Sequence, residues 1–429
     1  MANKIGSNVV PTFERPTDVN IIMTIVHPQP LVGLGNLLVL NKVTEPATLA
    51  KNAPAAQADT GGEKKQDNAQ GTDTGAGKSS TPTGRAFSNS LSNDDRMAGI
   101  LMRKVDTATG ALYREYKNLD AVAVDYPENT PVWKKASSYF AQPSHSDRIA
   151  VLDYVEGKLL DSLKDFWFNN WTFAIFTDNT INDDVVLASN IFESNQDHFL
   201  VLQSDDLSEF TQFYGQNYTI GLKHTTDEAM DAAFVGAIAT KQVGSVTWKF
   251  KELKGITPDV MTTQERAGIE NSHVIGYLNV GGRPETSEGF SLSGEYIDLL
   301  HGEIWVKTNM ANELQRLLQD NDKIPYDNRG ISMVSAKANY VLDIAWRQGI
   351  IATDDLIGKG IYEVVSTPYS QQSRDDKSKR HYGGLGFTYK ASNAIHTLTV
   401  KGTVQSDTDR KSTRLNSSHT DSSRMPSSA

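Results

Sequence analysis

The chain has 429 residues, no cysteine and a formal net charge of −10. Without cysteine there is no disulfide, no thiolate metal site and no cysteine nucleophile, and folding in a reducing cytosol is favoured. The acidic balance argues against direct contact with nucleic acid or an anionic membrane surface, because phosphate binding rests on Lys and Arg.

The length suits two or three domains. Hydrophobic residues make up 38% and aromatics 8%, enough for a packed core and too much for a wholly disordered chain. The first twenty residues carry Arg15, Asp18 and two prolines, with no apolar core of a signal peptide. Apolar stretches such as Ile21–Met23 and Leu37–Leu40 are far too short to span a bilayer.

In chain order, Val19–Val26 is a strand candidate, β-branched and closed by His27 and Pro28. Leu37–Val43 is a second strand. It is apolar on both faces, which predicts a place inside a sheet or between layers. From Thr44 to Ser90 the composition turns to Ala, Gly, Thr, Lys, Asp and Gln. That segment cannot bury enough surface to offset its ordering entropy, so it reads as a flexible insertion.

Order resumes at Tyr116–Val124. Thr130 and Pro131 open a helix that carries Trp133, Ala136 and Phe140 and stops at Pro143. Strands are predicted at Ile149–Tyr154, Trp171–Phe176, His198–Gln203 and Tyr218–Leu222. Helices are predicted at Gly157–Phe166, Asn182–Glu193 and Thr226–Ala239. This alternation predicts an α/β layer with parallel strands.

The last third has another pattern. Ile297, Leu300, Ile304, Ala311, Leu314 and Leu318 recur at helical spacing, interrupted by Lys307. After Pro325 and Gly330, the residues Ile331, Val334, Ala338, Val341 and Ala345 repeat it, and Gly349 suits a left-handed C-cap. Two such helices make an αα-hairpin. Strands follow at Ile361–Ser366, Gly386–Lys390 and Ile395–Val404, with a charged loop at Ser370–Tyr382.

The fold class is therefore mixed α+β and α/β: a central α/β layer domain, then a C-terminal αα-hairpin with β-strands. The expected partition is 1–43 as arm and first strands, 44–90 as insertion, 91–280 as central domain and 281–408 as C-terminal domain. Residues 409–429 stand apart. Asp409–His419 and Ser423–Ala429 resemble the two constant parts of a translated sequencing adapter, with Thr420–Ser422 at its variable index. The expected reading is an artefact in which the native frame runs out near Thr408 and the true C-terminus is missing.

Chemical motifs are incomplete. Gly71–Ser79 resembles a phosphate loop, but Thr72 stands where glycine is needed. Gly289–Gly294 resembles a nucleophile elbow, but Ser293 stands at the second glycine position. His145, Ser146 and Asp147 have triad residue types yet are sequence neighbours, which suits a polar loop. The acidic pairs Asp183–Asp184, Asp205–Asp206 and Asp375–Asp376 lack calcium-loop spacing, and the first two suit helix starts. No catalytic, cofactor or metal site is expected.

Three segments carry a resemblance. They are Val132–Tyr154 (VWKKASSYFAQPSHSDRIAVLDY), Gly294–Trp305 (GEYIDLLHGEIW) and Lys323–Gly330 (KIPYDNRG) with Gly349–Ala352 after the second helix. In this order and spacing the chain resembles the tail sheath proteins of contractile-tailed, myovirus-type bacteriophages over most of Val19–Val404. It departs in the long Thr44–Ser90 insertion and in Glu303, where the family pattern has aspartate.

The resemblance implies a non-enzymatic virion subunit, assembled in the host cytoplasm. Its partners would be copies of itself in six-fold rings of a helical tube, the inner tail tube, and baseplate and tail terminator proteins. Nucleic acid and membrane would not be partners. Contraction would drive DNA delivery. It also implies terminal strands that complete neighbours' sheets. Val19, Ile21, Ile22, Met23 and Ile25, with Ile395, Leu398, Val400 and Val404, are the expected inter-subunit strand residues. The insertion is expected on the outer surface. Alternatives are a contractile bacteriocin or injection system with the same subunit physics, another tail protein such as tube or baseplate, and an α/β hydrolase or nucleotide-binding enzyme.

Overall fold

The computed structural model describes residues 34–49 and 86–401. Described residues up to Asn393 belong to one compact unit, and Ala394–Lys401 belong to a second. The expected strand Val19–Val26, the phosphate-loop-like Gly71–Ser79 and the 409–429 segment lie outside the described residues.

β1 (Leu37–Val43) comes first. Two-residue strands β2 (Thr48–Leu49) and β3 (Ala86–Phe87) pair in parallel, so the two ends of the 50–85 segment meet. Then come α1 (Asn93–Met97), the hairpin β4 (Ile100–Val105) and β5 (Leu112–Tyr116), α2 (Leu119–Asp125) and α3 (Pro131–Phe140). Strands and helices then alternate: β6 (Ile149–Val155), α4 (Leu159–Phe166), β7 (Phe173–Phe176), α5 (Asp183–Asn195), β8 (Phe199–Ser204) and β9 (Thr219–Lys223). After α6 (Met230–Gly236) and α7 (Thr263–Asn271), β10 (Val274–Val280) and β11 (Arg283–Thr286) form an edge hairpin.

These strands build one nine-stranded sheet in the order β11-β10-β9-β8-β7-β1-β6-β5-β4. From β10 to β6 every pairing is parallel, as the alternation predicts, and antiparallel strands close both sides. β1 sits near the middle because Leu37–Leu40 are apolar on both faces and fully buried. Its Leu37 pairs with Ile149 on one side and Phe173 on the other.

Side-chain caps fix most helix starts. Asn118, Thr130 and Asn182 each accept from a backbone N–H three residues on, and Thr262 and Glu265 form a capping box. The predicted helix Thr226–Ala239 is shortened to α6. The Gln203 amide takes the carbonyls of Thr225 and Glu228, and the Glu228 carboxylate is held by His224 and Thr257, so the first turn does not close.

The β4–β5 hairpin carries the main departure from the sequence pattern. Arg114 and Glu115 are buried in β5. Arg114 reaches Asp125 at 3.0 Å and Asp153 at 2.6 Å, bonds the Tyr126 hydroxyl, and lies over that ring at 4.6 Å. Such a buried charge is tolerable because two carboxylates, a hydroxyl and a ring face lie against it.

The second core lies between α8 (Ile297–Gln319) and α9 (Asn328–Gln348). Asp327 caps α9 on Arg329 and Gly330, and Gly349 ends it in the left-handed region at φ 89°. Short strands β12 (Thr353–Asp354) and β13 (Lys359–Gly360) follow, then β14 (Tyr362–Ser366) and β15 (Leu385–Tyr389) pair antiparallel. Between them, the charged loop predicted at Ser370–Tyr382 contains a helical turn, α10 (Arg374–Lys379), capped by Ser373.

Gly35 shows how tightly the start of β1 is seated. A Cβ there would stand 2.0 Å from the Ala239 carbonyl oxygen, so backbone must move to accept it. Gly35→Ala is expected to destabilise the fold by about 1–3 kcal/mol, read as a lower urea midpoint. An unchanged midpoint would rule out this close approach.

Candidate assembly interface

The two-stranded sheet β14–β15 packs one face on the hairpin. Tyr362, Val364, Leu385, Phe387 and Tyr389 lie against the second core, while Glu363, Val365, Gly386 and Thr388 face outward. This alternation is the period-2 pattern of a half-buried sheet. Among the described residues, β14 pairs only with β15, so each strand keeps one edge of unpaired N–H and C=O groups.

Ala394–Lys401 is a segment without strand or helix. The predicted strand Ile395–Val404 is thus absent over its described part, since a strand needs a partner ladder. Its apolar side chains are in water: Ile395 and Leu398 are 81% exposed and Val400 80%. The other expected strand residues, Val19, Ile21, Ile22, Met23, Ile25 and Val404, lie outside the described residues.

The chemical motifs are spread through the fold as structural parts. The Ser291 hydroxyl meets the Ser293 hydroxyl at 3.0 Å and the Glu295 carbonyl at 3.3 Å. His145 Nδ1 meets the Ser146 backbone oxygen at 2.7 Å, while the Ser146 hydroxyl bonds Asn36. No imidazole contacts either serine hydroxyl among the described residues. Asp183 and Asp184 sit in the first turn of α5, and Asp206 caps the short 3₁₀ helix Leu207–Phe213. Among the described residues no helix is long and apolar enough to cross a membrane.

Two features of α8 escape the sequence pattern. Leu318 is exposed and Leu317 takes the buried position. Lys307 is buried, its Nζ donating to the Gln196 carbonyl at 3.4 Å, at the left-handed residue that ends α5. Burial pushes its pKa down to about 6, opposed by the carboxylate of Glu303 one turn earlier. His198 nearby is held down to about 3 by burial and by the Lys307 charge.

Residues 297–404 match the family model described as "E217 tail sheath protein gp31-like, C-terminal domain". Over this stretch, about a quarter of its length, the chain is similar to the C-terminal domain of a tail sheath protein. The stretch contains the hairpin, the open-edged sheet and the exposed apolar segment. No curated protein matches the chain in sequence. In solved structures the same fold recurs at low identity. A protein of the six-fold symmetrised baseplate of the anti-feeding prophage is 12% identical with a TM-score of 0.57, covering 92% of this chain and 99% of that one. A chain of that particle's helical sheath in the contracted state is 12% identical with a TM-score of 0.53 at the same coverage. A chain of the sheath complex of an extracellular contractile injection system, PVC, also contracted, is 11% identical with a TM-score of 0.53, covering 69% and 87%.

Lys307 gives the sheath domain a pH signature. The folded pKa is depressed below the value of 10.5 for a free lysine, so the unfolded chain holds a proton the folded one sheds. This stabilising contribution is present above pH 10.5 and is lost as pH falls toward about 6. Lys307→Met is expected to remove that slope and to stabilise the chain at neutral pH by about 1–4 kcal/mol. Urea titrations between pH 6 and 10 that gave parallel curves for both proteins would contradict it.

Proposed function

We propose that the chain is the structural subunit of a contractile phage tail sheath, which polymerises into a helical tube around a tail tube and contracts to drive DNA delivery. The observation that carries this is the sheath domain itself, with a two-stranded sheet open at both edges and an exposed apolar segment beside it in sequence. Open edges and unpaired apolar strands are complementary, and pairing them between copies satisfies both. A head-to-tail contact of this kind does not close on itself, so it propagates as a filament.

Magnitudes explain why function would exist only in the assembly. Each hydrogen bond of a strand link contributes about 0.5–1.5 kcal/mol net. Ordering the arm costs about 1–2 kcal/mol per residue. One link is marginal, and repetition through a lattice makes it hold. Links of this sort can persist while rigid bodies exchange one packing for another, which is the physics of contraction.

In this reading the partners are further copies in six-fold rings, a tail tube protein, and baseplate and terminator proteins at the ends. The role is structural, without catalysis. The site is the virion tail, built in the host cytoplasm. A second reading, the sheath of a phage-derived injection system, is favoured by the anti-feeding prophage and PVC folds. The genes flanking this one separate the two.

Electron microscopy of the purified chain lacking residues 409–429 tests the reading directly; tubes are expected, and a monomer at high concentration would end it. Thr399→Pro is expected to lower tube yield at least tenfold while leaving the melting temperature of the subunit unchanged, since the segment is outside the compact unit. Equal tube yield would exclude 395–404 as an inter-subunit strand. Replacing 50–85 by a Gly/Ser linker of about twelve residues, the least a parallel pair needs, is expected to spare assembly, because β2 and β3 already hold the two ends together. Tubes lost on this deletion, with the subunit still folded, would assign the insertion to the lattice.

A further inference from the structure

A cleft of about 430 Å³ opens where the central layer meets the sheath domain. Its walls include Asn217 and Tyr218 before β9, Glu295 and Glu303 at and within the start of α8, and Tyr389 at the end of β15. Three distant stretches of sequence therefore converge on one site.

Two observations make it more than an acidic patch. The first is Tyr218, which is 3% exposed and stacks near Phe199 at 5.6 Å, yet its hydroxyl has no hydrogen-bond partner among the described residues. The residue lines the cleft, so a guest there can supply the hydrogen bond this hydroxyl lacks. The second is Glu303. It is half-buried and makes no ion pair among the described residues. Lys307, one turn on, is buried and donates its Nζ to the Gln196 carbonyl rather than pairing with Glu303.

The surroundings are set for a positive guest. Burial and then the Glu303 carboxylate push Tyr389 up to about 12, and the same causes raise Tyr218. Both phenols stay neutral, presenting hydroxyls and ring faces beside a carboxylate. This suits an ammonium or guanidinium, which gains a charge-assisted hydrogen bond and aromatic contact together. Among the described residues no group of three or more acidic or histidine side chains has the arrangement of a metal site, which separates this cleft from a hard-cation cage.

We propose that this cleft receives a lysine or arginine side chain from a second copy of the chain. The proposal rests on the sheath reading. A second copy is the occupant because Tyr389 ends β15, the open edge where a neighbour's strand would add, so the cleft continues that interface. The pair fixes the register of the added strand, where backbone pairing alone would permit slippage.

The test compares wild-type chain, Glu303→Gln and Tyr218→Phe in sedimentation assays of tube formation from low to high salt. The wild-type critical concentration is expected to rise with salt. Glu303→Gln is expected to raise it about tenfold at low salt and to flatten the salt dependence, the scale of one charge-assisted contact. Tyr218→Phe is expected to raise it two- to threefold without flattening the slope. Circular dichroism melts check that both variants fold; Glu303→Gln keeps the shape of the side chain. An unchanged critical concentration, or a rise with an unaltered salt slope, for Glu303→Gln overturns the proposal. If Thr399→Pro blocks tubes while Glu303→Gln does nothing, only this inference falls. If wild-type chain forms no tubes in any salt, the sheath reading falls and takes the cleft with it.

Discussion

The structure depends on one helix being buried on nearly every side. α8 runs for 23 residues, and its first turns belong to one core while its later turns belong to another. Ile297, Leu300 and Ile304 complete the core under the nine-stranded sheet. Trp305, Val306, Met310 and Leu314 begin the core of the hairpin. A helix used this way cannot shift relative to either core without breaking packing in both, because interiors are packed at crystal density. The central layer and the hairpin thereby share one packed body, within the compact unit that ends at Asn393. Polar residues inside α8 have to be matched one by one. His301 meets the Leu34 carbonyl, and Asn309 turns back on its own helix at Trp305.

Rigidity of this sort fits a part that works in a lattice. If strand links are what neighbours share, shape change must occur between bodies rather than inside them. Among the described residues, the features left outside the packing are the edges of β14 and β15, the exposed apolar residues at 395, 398 and 400, and the cleft at Glu303, which are the ones the proposed assembly draws on. The buried charges serve another purpose. Arg114 with Asp125 and Asp153, and Lys135 with Asp231 at 2.6 Å, join elements far apart in sequence and select one arrangement of the layer.

Much of this was legible in the sequence where one physical rule dominates. β1 has the predicted bounds because an all-apolar run has only one place to go. α8 and α9 follow from the 3/4 spacing, and Gly349 caps as its chemistry demands. The β4–β5 hairpin was not legible. Its strand Leu112–Tyr116 contains two charged residues, and both are buried: Arg114 against Asp125 of α2 and Asp153 of β6, and Glu115 against the Tyr113 hydroxyl and Arg148. α10 was hidden in a charged stretch, where only a local cap at Ser373 distinguishes helix from loop. The cleft could not be read either. Tyr218, Glu303 and Tyr389 look ordinary alone, and only the chain path joins them. Glu303 did stand out as a departure from the sheath pattern, although nothing in the sequence said that it would line a cleft without an ion pair among the described residues.

The place of β1 has a consequence for biosynthesis. Its partners are β6 and β7, more than a hundred residues downstream. At about 5–20 residues per second on the ribosome, Leu37–Leu40 wait roughly 5–30 s for their neighbours. During that interval the most apolar run near the start of the chain is displayed by a nascent polypeptide, so a holdase or trigger-factor-like chaperone would meet this protein before any second copy did.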